Sequence, residues 1–272
     1  MANDQRPHIL LTNDDGIRSP GLWAAAEALS ALGYVTVAAP REQSTGTGRS
    51  MPISSDGSIR EEEVAVRGKT WKVYAVGGTP AQAVQHGVLE LSTRRPDLVV
   101  AGINYGENLS TGVSISGTVG AAMEGAALGL PALAVSLETD SHFFLTYSRE
   151  IDFSGAAYFT ALFARMLLGG RRMPDVDVLN VGIPAEATPE TPWRITRLSR
   201  TKYYVPVTPQ RTSLEEPLKV GYRVEVDADH LEPDSDVYVL RVSRQVSVTP
   251  LSLVMTSRIE PSELELRLRS GV

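Results

Sequence analysis

The chain has 272 residues, 42% of them hydrophobic and 21% charged, and carries a formal net charge of -6. That length and balance suit one large α/β domain with a substantial core and exclude disorder as the dominant state. The acidic sign argues against a protein whose main task is to hold nucleic acid, and the absence of cysteine excludes disulfides, thiolate metal sites, iron–sulfur clusters and a cysteine nucleophile. The stretch Met1 to Pro7 is short and polar and has no apolar run of the kind an export signal needs. No apolar stretch reaches membrane-spanning length before Gly, Pro or charge interrupts it. These readings predict a cytoplasmic protein with no membrane partner and no stable nucleic-acid partner.

In chain order, His8 to Thr12 predicts a buried strand and Gly21 to Leu32 a helix, with Ser19-Pro20 suiting its start and Gly33 its stop. Tyr34 to Ala39 predicts the next strand, and the polar stretch Pro40 to Pro52 a loop. Trp71 to Val76 reads as a strand, Pro80 to Leu91 as a helix, and Asp97 to Ala101 as a third core strand. Ser116-Gly117-Thr118 opens a helix running to Leu128. Pro131 to Leu137 predicts a strand, Phe153 to Leu168 a helix, and Val176 to Val181 a strand. Such alternation predicts a mostly parallel sheet covered by helices on both faces, with its site beyond the carboxyl ends of the strands. After Pro184 the texture changes: prolines punctuate short alternating runs such as Arg194 to Leu198 and Tyr222 to Val226, which predict antiparallel hairpins. Glu260 to Arg269 predicts a short amphipathic helix. The division expected is a catalytic core over residues 1–184 and a hairpin and tail over 185–272, part of the same structural domain and serving assembly.

Four loops carry the chemistry. Asp14 and Asp15 follow a buried strand directly, where each carboxylate raises the other's pKa and burial raises both. A divalent cation would remove that cost, and oxygen-only ligands favour Mg, Mn or Ca over zinc. An Asx turn that caps the next helix accounts for Asp-Asp equally well. The loop Gln43 to Ser50 offers hydroxyls and Gly-exposed amides for an oxyanion or a metal shell, and it is not a Walker loop. Asn104 offers a neutral carbonyl ligand and Asn108 an amide donor. The helix start at Ser116 to Thr118 offers free amides to an anion. His8, His86, His142 and His230 are scattered and read as structural or surface residues; Trp23, Trp71 and Trp193 read as packing residues. Tyr105, next to Asn104, is placed to stack on a base.

At these residues the sequence resembles the survival protein SurE family of nucleoside monophosphate phosphatases. The segments that carry the resemblance are LLTNDDGIRSPGLWAAAEAL, APREQSTGTGRSMP, YAVGGTPAQAV, AGINYGENLSTGVSISGTVGAAMEGAALGLPALAVS and DSDVYVLRVSRQVSVTPLSL. They run in order from about residue 8 to 254. The resemblance implies a Rossmann-like α/β core in three layers, plus a C-terminal hairpin arm and tail that exchange between subunits of a homodimer or homotetramer. It implies one divalent metal ion per subunit, Mg or Mn, on Asp14, Asp15, Asn104 and a loop hydroxyl. Ungapped counting puts that hydroxyl on Thr45, and a one-residue shift would put it on Ser44. Asp14, Asp15 and Asn104 are the catalytic candidates. Asn13, Gly46, Asn108, Ser116, Gly117 and Thr118 are the phosphate- and substrate-binding candidates. Gln82 departs from the family, which commonly has Asp there. The activity implied is hydrolysis of nucleoside 5′-monophosphates, and 3′-monophosphates as well, to nucleoside and phosphate. A non-catalytic nucleotide sensor and a metal-using glycosyltransferase are the rival readings.

Overall fold

The computed structural model describes residues 6–271 except 67, 145, 149, 171 and 172, so most of the polar N-terminal stretch lies outside the described residues. Strand β1 (His8–Thr12) is buried along its whole length, which is why it reads as a continuous apolar run rather than an alternating one. Helix α1 (Pro20–Ser30) starts where Pro fixes the first turn after Ser19, and it turns Leu22, Ala25, Ala26 and Leu29 inward. Strand β2 (Tyr34–Pro40) follows. Strand β3 (Ile59–Val66) is an element that the sequence does not announce, because three consecutive glutamates, Glu61 to Glu63, hide its alternation. Those charges suit its place at the sheet edge, where they discourage pairing with another chain.

Strand β4 (Lys69–Val76) leads into α2 (Pro80–His86), which ends in a turn of π-helix over Gly87–Leu91. Gln82 belongs to the capping of α2. Its backbone N–H donates to Thr79 Oγ1 at 3.2 Å, and its Oε1 accepts from the Thr79 N–H at 3.0 Å and from Ser55 Oγ at 2.7 Å. Strand β5 (Leu98–Tyr105) is longer than the expected Asp97 to Ala101, and its pairing with β6 (Ala132–Leu137) shifts register between Ala101 and Asn104. Helix α3 (Gly117–Ala127) lies between them in the chain, and α4 (Ser154–Gly169) and β7 (Val178–Ile183) complete the alternation.

The main sheet has the order β3-β4-β2-β1-β5-β6-β7, continued by two strands from the C-terminal part of the chain. From β4 to β7 all neighbours are parallel. Helices α1 and α4 pack together on one face and α2 and α3 on the other, giving two apolar layers around the sheet. The chain moves outward from β1 to β2 on one side and to β5 on the other. A crevice therefore opens at the carboxyl ends of β1 and β5, the usual place for a ligand in an open α/β sheet.

Beyond β7 the chain is not simply a set of hairpins. Strand β8 (Trp193–Ile195) pairs parallel with β11 (Val246–Leu251), which itself runs antiparallel to β7 and so returns to the main sheet. The one hairpin among the described residues here pairs β9 (Tyr204–Val207) with β10 (Gly221–Val224). Helix α5 (Pro261–Ser270) forms as expected, with no buried residue.

Buried Asp236 ties these returning segments together. Its carboxylate accepts the backbone N–H groups of Ser110 at 2.7 Å, Ser199 at 2.9 Å and Val237 at 2.9 Å. Replacing one carboxylate oxygen by an NH₂ would face a donor to a donor. Asp236→Asn is expected to cost about 2 kcal/mol of stability, a figure typical of a buried group left unsatisfied; urea unfolding checks it, and an unchanged midpoint would contradict this role.

Candidate active site

The turn after β1 is shaped before any substrate is considered. Gly16 has φ +98°, and a Cβ there would stand 3.0 Å from the Tyr147 hydroxyl. Asn13 is fully buried and its Nδ2 donates to the Gly16 carbonyl at 3.1 Å, so its amide holds the turn. The Tyr147 hydroxyl donates to the Asp15 carbonyl at 2.6 Å. Neither Tyr147 nor its role is marked by any local motif.

Asp14 and Asp15 are each only 2% exposed. Asp14 Oδ1 accepts from Thr118 Oγ1 at 2.5 Å, and the amides of Gly117 and Thr118 at the start of α3 also favour its charged form. Asp15 Oδ2 accepts from the Tyr105 N–H at 3.2 Å and its Oδ1 from Gln43 Nε2 at 3.4 Å. Burial nevertheless dominates. It pushes Asp14 up from the ordinary 3.8 to about 6. Burial first, and the Asp14 charge second, push Asp15 well above the ordinary range. Among the described residues, no basic side chain is among the groups acting on either carboxyl.

The register shift in β5 turns Asn104 toward the same crevice, as bulges do. Its Nδ2 donates to the carbonyls of Gly106 at 2.6 Å and Tyr105 at 3.1 Å, which leaves the Oδ1 carbonyl as its free ligand atom. Asp14, Thr45, Gly46, Asn104, Asn108 and Ser116 line one cavity of about 420 Å³. Thr45 Oγ1 accepts from Gln43 Nε2 at 3.0 Å. Ser44 instead gives its N–H to the Asp14 carbonyl at 2.7 Å and its hydroxyl to the Glu42 carbonyl at 3.4 Å. Ser116 caps α3 by accepting the Val119 N–H at 3.1 Å, so its own hydroxyl proton is free to donate.

The remaining substrate candidates play different parts. Gly46, at φ +77°, exposes its backbone: a Cβ placed there would meet nothing within 4 Å. Asn108 has a buried Nδ2 without a protein partner. Gly117 is pressed against Asp14: a Cβ there would stand 2.8 Å from both Asp14 Cβ and Oδ2. Thr118 is fully buried and its hydroxyl is spent on Asp14 rather than turned to the cavity. Tyr105 does not offer its ring to a base; it is 3% exposed, donates to the Ser148 carbonyl at 3.0 Å and packs edge-on against Phe153. The four histidines bond elsewhere, to Thr36, Glu90, Asp140 and Asp227.

Two buried carboxylates without a basic neighbour among the described residues, with an amide carbonyl and a hydroxyl, are a hard, oxygen-only donor set that fits a divalent ion of the Mg or Mn kind. Sequence reading missed Gln43, which bridges Asp15 and Thr45, and the hairpin residues Tyr204 and Tyr222, which complete the cavity. Gln43 adjoins the hydroxyl loop and could have been singled out; the two tyrosines lie more than 150 residues downstream of that loop, with no local signal.

The fold and the position of this cavity define a Rossmann-like α/β protein whose site opens at the carboxyl edge of a parallel sheet. The chain belongs to the SurE family: the family model described as survival protein SurE matches residues 9–205. It is 42% identical over 260 residues to the 5′-nucleotidase SurE of Thermococcus gammatolerans, covering 94% of each chain. It is 41% identical to the 5′-nucleotidase SurE of Methanocella arvoryzae, covering 97% of this chain and 98% of that one. The crystal structure of the SurE protein from Aquifex aeolicus superposes with a TM-score of 0.75 at 30% identity, covering 96% of this chain and 99% of that one.

Proposed function

We propose that this protein is a metal-dependent phosphomonoesterase that hydrolyses nucleoside 5′-monophosphates to nucleoside and phosphate. The observation that carries the reading is the buried Asp14–Asp15 pair, of which Asp14 faces the start of α3 and lines the cavity at the sheet's switch point. Relatives at about this distance bear the 5′-nucleotidase name over nearly their whole length. Asp14, Asp15, Asn104 and Thr45 would hold one divalent ion per subunit. When bound, that ion supplies charge neutralisation and Lewis-acid polarisation of a phosphoryl oxygen.

The chain's own groups do the rest. The Ser116 hydroxyl, the Asn108 amide and the exposed Gly46 backbone hold the non-bridging oxygens and stabilise charge as it develops. The α3 dipole favours the anion from behind. Water attacks phosphorus and gives up a proton, the ester P–O bond breaks, and the departing nucleoside oxygen takes up a proton from solvent. Asp14, a carboxylate that lines the cavity, is placed to take the proton from that water. Thr118 and Gly117 hold Asp14 in place rather than touch substrate.

Phosphate release from a panel of nucleoside 5′- and 3′-monophosphates and a non-nucleotide ester, with Mn, Mg or a chelator present, tests this reading. Folded protein that binds nucleotide yet releases no phosphate with either metal would favour a sensor. Gly117→Ala is expected to lower turnover about 10²-fold at little cost in KM, because the new methyl displaces Asp14, the kind of small misplacement that costs about that much. Equal turnover in this variant would show that the close contact is not needed.

The cytoplasmic setting belongs to the same reading, supported by the lack of cysteine. Among the described residues no helix is long and apolar enough to cross a membrane. Assembly into a homodimer or homotetramer through residues 185–272 is also part of it. Helix α5 leaves Leu264, Leu266 and Leu268 exposed and buries nothing, and a ten-residue helix without packing is marginal in water. Sedimentation of full-length protein as a monomer would refute this.

A further inference from the structure

The phosphate-handling groups account for only part of the cavity. Ile115, Phe144, Tyr204, Pro206 and Tyr222 line it too, and three of these come from the hairpin β9–β10. Tyr222 is 50% exposed, although it belongs to the wall of a cavity. Its ring meets that of Tyr204 edge to face at 5.2 Å.

The hairpin is pinned to the core close to Asn104. The Tyr204 hydroxyl donates to the Glu107 carbonyl at 2.9 Å, and the Tyr203 hydroxyl donates to Glu107 Oε1. Arg241 pairs with Glu107 at 3.2 Å and with Glu138 at 2.9 Å, holding the buried Glu107 carboxylate in place. Glu107 follows Asn104 by three residues, through buried backbone. The span from the aromatic wall to the phosphate end is therefore set before substrate arrives, which lowers the ordering cost of binding.

We propose that the hairpin forms the nucleobase-facing wall of the site and that Tyr222 stacks on the base; this rests on the nucleotidase reading above. A half-exposed phenol ring gains contact and sheds water when a flat π-system covers it. The cavity's size falls within the range of small-molecule sites. The hairpin residues facing it are aromatic or aliphatic, and stacking of this kind tolerates any base. The wall thus selects nucleotides over esters without a ring while discriminating weakly among bases.

The test compares kcat/KM for adenosine, guanosine, cytidine and uridine 5′-monophosphates with that for glycerol 2-phosphate, in wild-type, Tyr222→Ala and Tyr222→Phe proteins. The nucleotide-to-glycerol-phosphate ratio is expected to fall about tenfold in Tyr222→Ala, mainly through KM and for all four bases, in line with the loss of one stacked base. Tyr222→Phe, which keeps the ring, is expected to keep the ratio. Binding of adenosine 5′-monophosphate measured by calorimetry should weaken in parallel. A ratio that does not move in Tyr222→Ala, with phosphate still released, overturns the wall and leaves the nucleotidase standing. Nucleotide that binds through Tyr222 without release of phosphate keeps the wall and sinks the nucleotidase.

Discussion

Asp14→Asn is expected to lower metal-dependent release of phosphate from nucleoside monophosphates by about 10³-fold, the scale set by losing a preorganised charged group at a reacting centre. The substitution keeps the size of the side chain and leaves Oδ1 to accept from Thr118, while the new NH₂ faces the Gly117 and Thr118 amides, so the fold of the variant is measured beside its rate. What goes is one of two charges that make the site a cation holder and the cavity-lining group suited to take a proton. Asp15→Asn is expected to act in the same direction, since Asp15 is held by the Tyr105 N–H and Gln43 at the back of the same site. Initial rates with Mn or Mg, set beside circular dichroism of each variant, check this. Near-normal turnover of folded Asp14→Asn would remove Asp14 from the site.

The second large effect concerns stability and has the opposite sign. Burial raises the Asp14 pKa from the ordinary 3.8 to about 6, so the folded state binds its proton more tightly than the unfolded chain does. Stability from this group is fully present below about pH 4 and is lost as pH rises through about 6. The difference of roughly two pH units corresponds to a stability change on the order of 3 kcal/mol in metal-free protein. Asp15, raised by burial and by the Asp14 charge, extends the loss toward higher pH. Chelated wild-type protein should therefore melt lower at pH 8 than at pH 5, so far as this pair is concerned. A saturating divalent ion at pH 8 should raise the melting temperature again, because it binds the ionised native pair and not the unfolded chain. Asp14→Asn should raise the chelated protein's melting temperature at pH 8 and lose most of the response to metal. A variant that melts lower than wild type under chelation, with an undiminished metal response, would contradict the claim that this pair is the unneutralised charge in the site.

Much of this was legible in the residues. The buried runs of β1, β5 and β6, the helix starts at Pro20, Pro80 and Ser116, and the Asp-Asp turn all obey local rules, and all lie within a few residues of where those rules put them. The misses have physical causes. Strand β3 pairs only along one side and can carry Glu61 to Glu63, so it lacks the apolar run that marks a central strand. Strand β8 reads as part of a hairpin and instead joins β11, because β11 folds back beside β7 from more than sixty residues away. Tyr105 sits beside a ligand candidate in the chain, yet strand alternation sends its ring to the opposite face, into the layer with Phe153.

Periodicity and side-chain type within one element at a time already give the alternating α/β class, the four candidate loops and the acidic, oxygen-rich character of their residues. Packing alone settles that β1 and β5 lie side by side, that Thr118 spends its hydroxyl on Asp14, that Thr45 rather than Ser44 lines the cavity, and that a hairpin far downstream contributes to its wall. Those outcomes depend on sheet order, a register shift and contacts between residues about a hundred positions apart, and no local pattern encodes which distant segment will be packed against a given strand end.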